Sequence, residues 1–471
     1  MPRQTMIIDM DRCVGCGACV IACQEEWDLP EGVVRNWVRP LHPVSSFKTL
    51  SFTHYVGMCN HCLDATCLDA CPTGATFRDD QGRIRVDKNT CIGCGYCVDA
   101  CPYGARMVRQ DLKIVEKCDL CAPLVDAGLE PACVTTCPAG ARIFGDLDDR
   151  QSPPSRYLKS HRIRRLETRE VSIRPQVAYA GKDEVIDRII EEHPPDPEKT
   201  APPLSGLVLQ KVARPGFLGL MGLAFLGQGV AFLRQLALKK EEEKVRAAAE
   251  PTLKRRDMAA VWLHWFNALV WLFEIMTGFG LLNSDRYRVT PGFFNQAMLS
   301  LFGSREAMLK LHVIVGVIWV VVLLAYATFG FRRYLAPFLR NLKFNGADMS
   351  WLWIKLKRIL LRSKEVLPPQ DMYNAGQKLF GLVVSFGTVL VIASGLVMYF
   401  FPGDAAVVRW SIPAHFIAAA VVLVGLVVHL YMTMFVPSER PALFSMFHGR
   451  ILESYAKQNN RRWWERVAKR G

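Results

Sequence analysis

Cysteine is missing from most of the chain: in 471 residues none precedes Cys13 and none follows Cys137. A disulfide framework does not explain that gap, because such frameworks belong to short secreted chains. An apolar leader is missing too. The start, Met1-Pro-Arg-Gln-Thr, has no hydrophobic stretch, so no secretory signal is expected. Basic residues are scarce in alternate connectors between the apolar runs, and this unevenness decides how the net charge of +14 is read. A nucleic-acid partner would use such a charge, but here it is distributed as membrane proteins distribute theirs, and nucleic acid is excluded.

All sixteen cysteines fall into four groups of four. They are Cys13, Cys16, Cys19 and Cys23; Cys59, Cys62, Cys67 and Cys71; Cys91, Cys94, Cys97 and Cys101; and Cys118, Cys121, Cys133 and Cys137. The sharpest is Cys91-Ile-Gly-Cys-Gly-Tyr-Cys-Val-Asp-Ala-Cys101-Pro102. In that spacing three thiolates grip one iron–sulfur cluster and the fourth reaches a neighbouring cluster. The glycines between ligands let the backbone curl around the cube. Zinc takes four ligands from two CxxC-like pairs and leaves the fourfold repetition unexplained. The repeat predicts four 4Fe-4S clusters in a pair of ferredoxin-like modules over 1–150, with sparse regular structure.

Residues 151–205 are rich in proline and charge and read as a solvated linker with one short helix near Lys182–Glu192, long enough to lie along a partner. Beyond it the chain turns apolar. Runs at 217–233, 259–282, 311–329, 379–401 and 412–435 are each long enough to cross a bilayer, so five spans are expected. The first, within 206–240, is an anchor; the other four make a helical bundle over 255–440, followed by a basic tail, 441–471. The fold class is thus an α+β ferredoxin-like domain followed by an all-α membrane domain.

Three regions are strongly basic. The connector after the first span holds Arg234, Lys239, Lys240, Lys244, Arg246, Lys254, Arg255 and Arg256. The connector between spans three and four runs from Arg332 to Lys378 and includes Arg362, and the tail has Arg461, Arg462, Arg466, Lys469 and Arg470. The alternate connectors hold only Arg286, Arg288, Arg305 and Lys310, and Arg409. The basic side should be cytoplasmic, which places the C-terminus inside and the iron–sulfur domain on the outer side of the inner membrane.

Four histidines lie in the spans: His264, His312, His415 and His429. Fourteen residues separate His415 from His429, about 21 Å along a helix and nearly on one face. Topology puts His264 level with His429 near the inner surface, and His312, at the start of span three, level with His415 near the outer. Two such pairs suit two b haems. Glu274, in mid-span two, is another costly polar group, with no partner evident.

Residues 1–150 resemble the four-cluster (beta) subunit of membrane-bound molybdopterin oxidoreductases, and 206–236 its anchoring helix. Residues 255–471 resemble the cytochrome b (gamma) subunit of respiratory formate dehydrogenase, through Trp262-Leu-His-Trp-Phe, Tyr373-Asn-Ala-Gly-Gln-Lys378 and the His415/His429 pair. The chain therefore looks like a fusion of the two. The resemblance implies swapped ligand sets: Cys13, Cys16, Cys19 with Cys137; Cys118, Cys121, Cys133 with Cys23; Cys59, Cys62, Cys67 with Cys101; and Cys91, Cys94, Cys97 with Cys71. It also implies a quinone site, for menaquinone or ubiquinone, beside Asn374, Gly376, Gln377 and His429. A plain N-cap role for Asn374, with Gln377 and Lys378 meeting headgroups, competes with that.

These features predict an electron-transfer and anchoring subunit with no catalytic residue of its own. Electrons from a large molybdopterin (molybdenum or tungsten) subunit, most like formate dehydrogenase, pass through clusters and haems to quinone. Its other expected partners are membrane lipid and further copies of the complex. The end of the cluster domain, Pro138-Ala-Gly-Ala-Arg-Ile-Phe-Gly-Asp, looks as much like thiosulfate or polysulfide reductases, in which the current runs from quinol. A quinone reductase fed by a soluble donor and a membrane redox sensor or scaffold are further alternatives.

Overall fold

The computed structural model describes residues 3–42, 44–46, 49–51, 53–238, 251–284, 286–361, 363–401, 405–436 and 439–468. Lys239, Lys240, Lys244, Arg246, Arg362, Lys469 and Arg470, which contribute to the orientation argument, lie outside them. The chain divides into two compact units. One comprises Met1–Gln210, Leu282–Arg288 and Val397–Ile412; the other Lys211–Leu281, Val289–Leu396 and Pro413–Gly471.

The first unit is built on a four-stranded sheet ordered Arg142–Asp146, Gln4–Asp9, Ala178–Ala180, Ile163–Arg164. The run Thr5-Met6-Ile7-Ile8 reads as a strand covered on both faces, and all four residues are buried. Met6 and Ile8 face one apolar cluster, while Ile7 packs with Ala178 and Ala180 in another. Gln4–Asp9 pairs antiparallel with Arg142–Asp146 and parallel with Ala178–Ala180. The latter strand corrects one expectation. Residues 151–205 are no linker, because two of the sheet's strands come from them, and Ile186 and Ile189 of the Asp183–Glu192 helix are buried. Proline and charge there mark turns and the outer face of a packed layer.

The cysteine loops are held by short elements. The helices Thr66–Asp69 and Tyr96–Asp99 lie within two of them and carry Cys67 and Cys97, each succeeded by a hairpin: Thr76–Arg78 with Ile84–Val86, and Met107–Arg109 with Ile114–Glu116. Gly93 has φ +64°, and a Cβ on it would lie 2.5 Å from the Lys113 carbonyl oxygen, so only glycine fits.

Among the described residues, four helices in the chain are long and apolar enough to cross a membrane: Met258–Leu281, Arg305–Phe329, Ala375–Phe400 and Val407–Phe435. The expectation of five is not supported. The Arg214–Leu238 segment, where the fifth was expected, is helical. Ser304 Oγ caps the Arg305–Phe329 helix, accepting from Ala307 N at 3.1 Å. His312 therefore sits about two turns inside, not at the start of the span. The membrane domain is not purely α-helical. Thr252–Lys254 pairs antiparallel with Arg450–Leu452, and the basic tail folds down through Ile451, Tyr455, Ala456 and Trp463, all buried.

Candidate metal centres

All sixteen cysteines are free, and most are buried. Two cavities gather cysteines from distant parts of the chain. One is lined by Cys23 with Cys118, Cys121 and Cys133, the other by Cys13, Cys16 and Cys19 with Cys137. The remaining eight fall into two sets by electrostatic contact: Cys62 with Cys59, Cys67 and Cys101, and Cys94 with Cys71, Cys91 and Cys97. Among the described residues no three His, Cys, Asp or Glu side chains converge on a point that would hold a single ion.

Burial pushes Cys23 and Cys67 up to about 12 and Cys91 to about 11. Thiols so placed become thiolates only when a cation such as iron meets them. Cys59 differs: burial raises it, but Lys117 and His61 beside it hold it below the ordinary thiol value. Backbone N–H groups already aim at the sulfurs. Thr76 N donates to Cys71 Sγ and Val115 N to Cys91 Sγ at 3.4 Å, and Ala141 N to Cys137 Sγ at 3.3 Å. The donor set fits iron–sulfur cubes.

In the second unit the rings of His312 and His415 stand 6.3 Å apart between centroids, at an interplanar angle of 64°. Two metal–imidazole bonds of about 2.0 Å each, plus the half-widths of two rings, come to roughly 6 Å, so a haem iron fits between them. Hydroxyls fix both tautomers. Thr277 Oγ1 donates to Phe273 O at 2.8 Å and Ser394 Oγ to Leu390 O at 2.6 Å, each spending its one proton on its own helix. Each oxygen must then accept from the imidazole Nδ1–H beside it, His312 at 2.8 Å and His415 at 3.0 Å. That leaves both Nε2 lone pairs for a metal.

The partner of Glu274 is His312, whose Nδ1 lies 2.7 Å from Glu274 Oε2. Sequence reasoning missed this pair and the two hydroxyls. A signal existed: Thr277-Gly278 and Ser394-Gly395 repeat a hydroxyl followed by glycine. A Cβ on Gly278 would stand 3.6 Å from His312 Cε1, and one on Gly395 would stand 3.4 Å from His415 Cε1.

His264 and His429 lie within electrostatic reach of each other, and Phe380 stacks on the His429 ring at 4.5 Å and 13°. Asn374 and Gln377 engage each other. Asn374 Oδ1 accepts from Gln377 N at 2.9 Å and Gln377 Oε1 from Asn374 N at 3.2 Å, a reciprocal cap on the Ala375–Phe400 helix. Lys378 is buried rather than at headgroup level, its Nζ 2.9 Å from Asp348 Oδ2 and 3.2 Å from Lys343 O.

Residues 6–26 match the 4Fe-4S binding domain family, 51–147 the 4Fe-4S dicluster domain family, and 255–449 the prokaryotic cytochrome b561 family. A tetrathionate reductase subunit of Salmonella typhimurium is 39% identical over 186 residues, covering 39% of this chain and 74% of that protein. The thiosulfate reductase electron transfer subunit PhsB of Salmonella typhi is 43% identical over 149 residues, covering 31% of this chain and 78% of that protein. The arsenate respiratory reductase iron-sulfur subunit ArrB of Shewanella sp. is 33% identical over 226 residues, covering 38% of this chain and 95% of that protein.

Proposed function

The chain belongs to the iron–sulfur, electron-transfer subunits of reductases, joined here to a cytochrome b561 domain, and from that premise we propose that it carries electrons between a separate molybdopterin-type catalytic subunit and membrane quinone. The observation that carries this is one polypeptide offering four complete cysteine sets and two histidine pairs. When bound, four 4Fe-4S clusters and two b haems supply the one-electron carriers between the partner's two-electron chemistry and a quinone.

The ligands are the sixteen cysteines in the four swapped sets, with His312 and His415 for one haem and His264 and His429 for the other. Thr277 and Ser394 hold the Nδ1 protons of the first pair and so would leave each Nε2 for the metal, with the Glu274 carboxylate 2.7 Å from His312 Nδ1. The quinone lies beside His429 and the Asn374–Gln377 cap. Both carbonyl oxygens of that cap are engaged, and the amide N–H groups of Asn374 and Gln377 are the donors a quinone oxygen would take. The Arg214–Leu238 helix anchors the chain as a fifth span, and the basic side faces the cytoplasm.

The relatives are named for reduction of tetrathionate, thiosulfate and arsenate, which favours flow from quinol to an oxidised acceptor. The formate-dehydrogenase-like Asn374-Ala-Gly-Gln-Lys378 segment supports a second reading, flow from formate to quinone. Anaerobic mixing of the purified complex with menaquinol or with formate separates them. In the first reading quinol reduces the haems before the clusters, and thiosulfate or tetrathionate reoxidises both. Cluster reduction by formate, with no reoxidation by either sulfur compound, overturns it.

A further inference from the structure

Among the described residues of the cluster domain five cationic side chains are buried, and they divide into two kinds. Arg35 and Arg83 have carboxylate partners: Arg35 with Glu116 at 2.7 Å and Asp119 at 3.1 Å, Arg83 with Asp79 at 2.7 Å and Asp126 at 2.8 Å. Those pairs hold the fold. Arg142, Lys117 and Arg106 are each 4% exposed and have no carboxylate partner among the described residues. A buried cation without a counter-charge is among the costliest arrangements a protein makes, so something anionic must stand near each.

The nearest candidates are the thiols, and the charge of each cation acts on two sets. The Arg142 guanidinium reaches Cys133 Sγ at 3.5 Å with one nitrogen and Cys19 Sγ at 3.4 Å with the other. Those sulfurs belong to different sets, the one with Cys23, Cys118 and Cys121 and the one with Cys13, Cys16 and Cys137. Asn36 holds the same guanidinium through Oδ1 at 3.5 Å and donates to Cys19 O at 3.2 Å. Arg106 acts electrostatically on Cys59, Cys67 and Cys101 of one set and on Cys97 of the next, with one nitrogen anchored on Thr76 Oγ1 at 3.1 Å. Lys117 donates to the carbonyls of Ile84 and Cys118, and its charge acts on both Cys118 and Cys59. The cations therefore link the sets into a single file, with one positive charge at each of three junctions.

Building on the cluster assignment above, we propose that Arg142, Lys117 and Arg106 are the electrostatic couplers of the chain, each stabilising the reduced form of the two clusters it separates. A cube with four thiolates is a net anion and gains one more negative charge on reduction. A fixed cation between two such cubes favours the electron on either and screens the repulsion when both are reduced. Because the charge is shared, an electron crosses the junction without first leaving a stabilised site for an unstabilised one.

The test compares Arg142→Met and Arg142→Lys in the full complex, using iron and acid-labile sulfide content and potentiometric EPR titration. Methionine keeps most of the volume and removes the charge; lysine keeps the charge. The expected result is full iron content in both. In Arg142→Met the reduced-to-oxidised ratio of two clusters falls about tenfold at fixed potential while the other two are unmoved, and Arg142→Lys restores most of the loss. Unchanged midpoints in Arg142→Met, or an equal shift of all four, overturn the proposal. If Arg142→Met sheds iron, Arg106→Met is read in the same way at the other junction, and iron loss in both variants overturns it by making the arginines retention elements. Wild-type iron far below four cubes fails the cluster assignment instead, and so distinguishes the two.

Discussion

Glu274 Oε2 lies 2.7 Å from Nδ1 of His312, on the neighbouring helix of the same unit. A carboxylate is expensive within an apolar helix unless it is paired, and a histidine that ligates iron through Nε2 has its Nδ1 proton to give. Each group resolves the other's problem. With a haem bound, the negative charge of the carboxylate beside the ring would favour the oxidised iron.

Glu274→Gln keeps the volume and an accepting oxygen but removes the charge. The expected outcome is two haems still bound, with the reduced fraction of one of them rising about tenfold in ratio at fixed potential, because a negative charge close to that haem's ligand is lost. Redox titration of the haem absorption bands checks this. An unmoved potential would mean that the pair serves folding alone.

Gly395→Leu puts a side chain where a Cβ alone would stand 3.4 Å from His415 Cε1. It should remove roughly one of two haems, that of His312 and His415, and leave the other spectrally intact. Pyridine haemochrome content against protein measures it. Full haem content would displace the assignment of this pair.

Cys23→Ser tests the swapped set in which a cysteine from the first group joins Cys118, Cys121 and Cys133 around one cavity. Iron should fall by about four of sixteen atoms, or by one if a three-iron cluster survives. Loss of the EPR signal belonging to the Cys13 cluster instead would show that the groups bind without exchange.

Asn374→Ser retains an oxygen that can cap Gln377 N and removes the amide N–H donors. The haems should still bind and exchange electrons with the clusters, while quinone-linked turnover falls at least about tenfold. Turnover near wild type would confine Asn374 to its cap.

Lys378→Met leaves Asp348 buried and unpaired, the two side chains being 6% and 2% exposed. That should destabilise the domain by about 3–5 kcal/mol. Combining it with Asp348→Leu should recover most of the loss, as thermal unfolding in detergent would report.

The grouping of the cysteines and the existence of the apolar helices are local properties, and the sequence by itself determined them. Cysteine spacing follows from how far a loop must reach around a cube, and an apolar run of span length follows from bilayer thickness. The separation of His415 and His429 along their one helix was legible for the same reason, since the helical rise converts sequence separation into depth. Tertiary structure decided what depends on neighbours. Residues 151–205 resembled a linker because Ala178–Ala180 is three residues long, and only pairing with Gln4–Asp9 makes it a strand. The start of the Arg305–Phe329 helix was hidden because its first turns are polar, and the Ser304 cap rather than hydropathy sets it. Glu274 had no visible partner because His312 lies on another helix, thirty-eight residues away. Arg142, Lys117 and Arg106 are three among 58 basic residues by sequence, and only burial beside thiols, without carboxylates, sets them apart. The energetic meaning of a charge is fixed by its surroundings, which the fold assembles from distant segments.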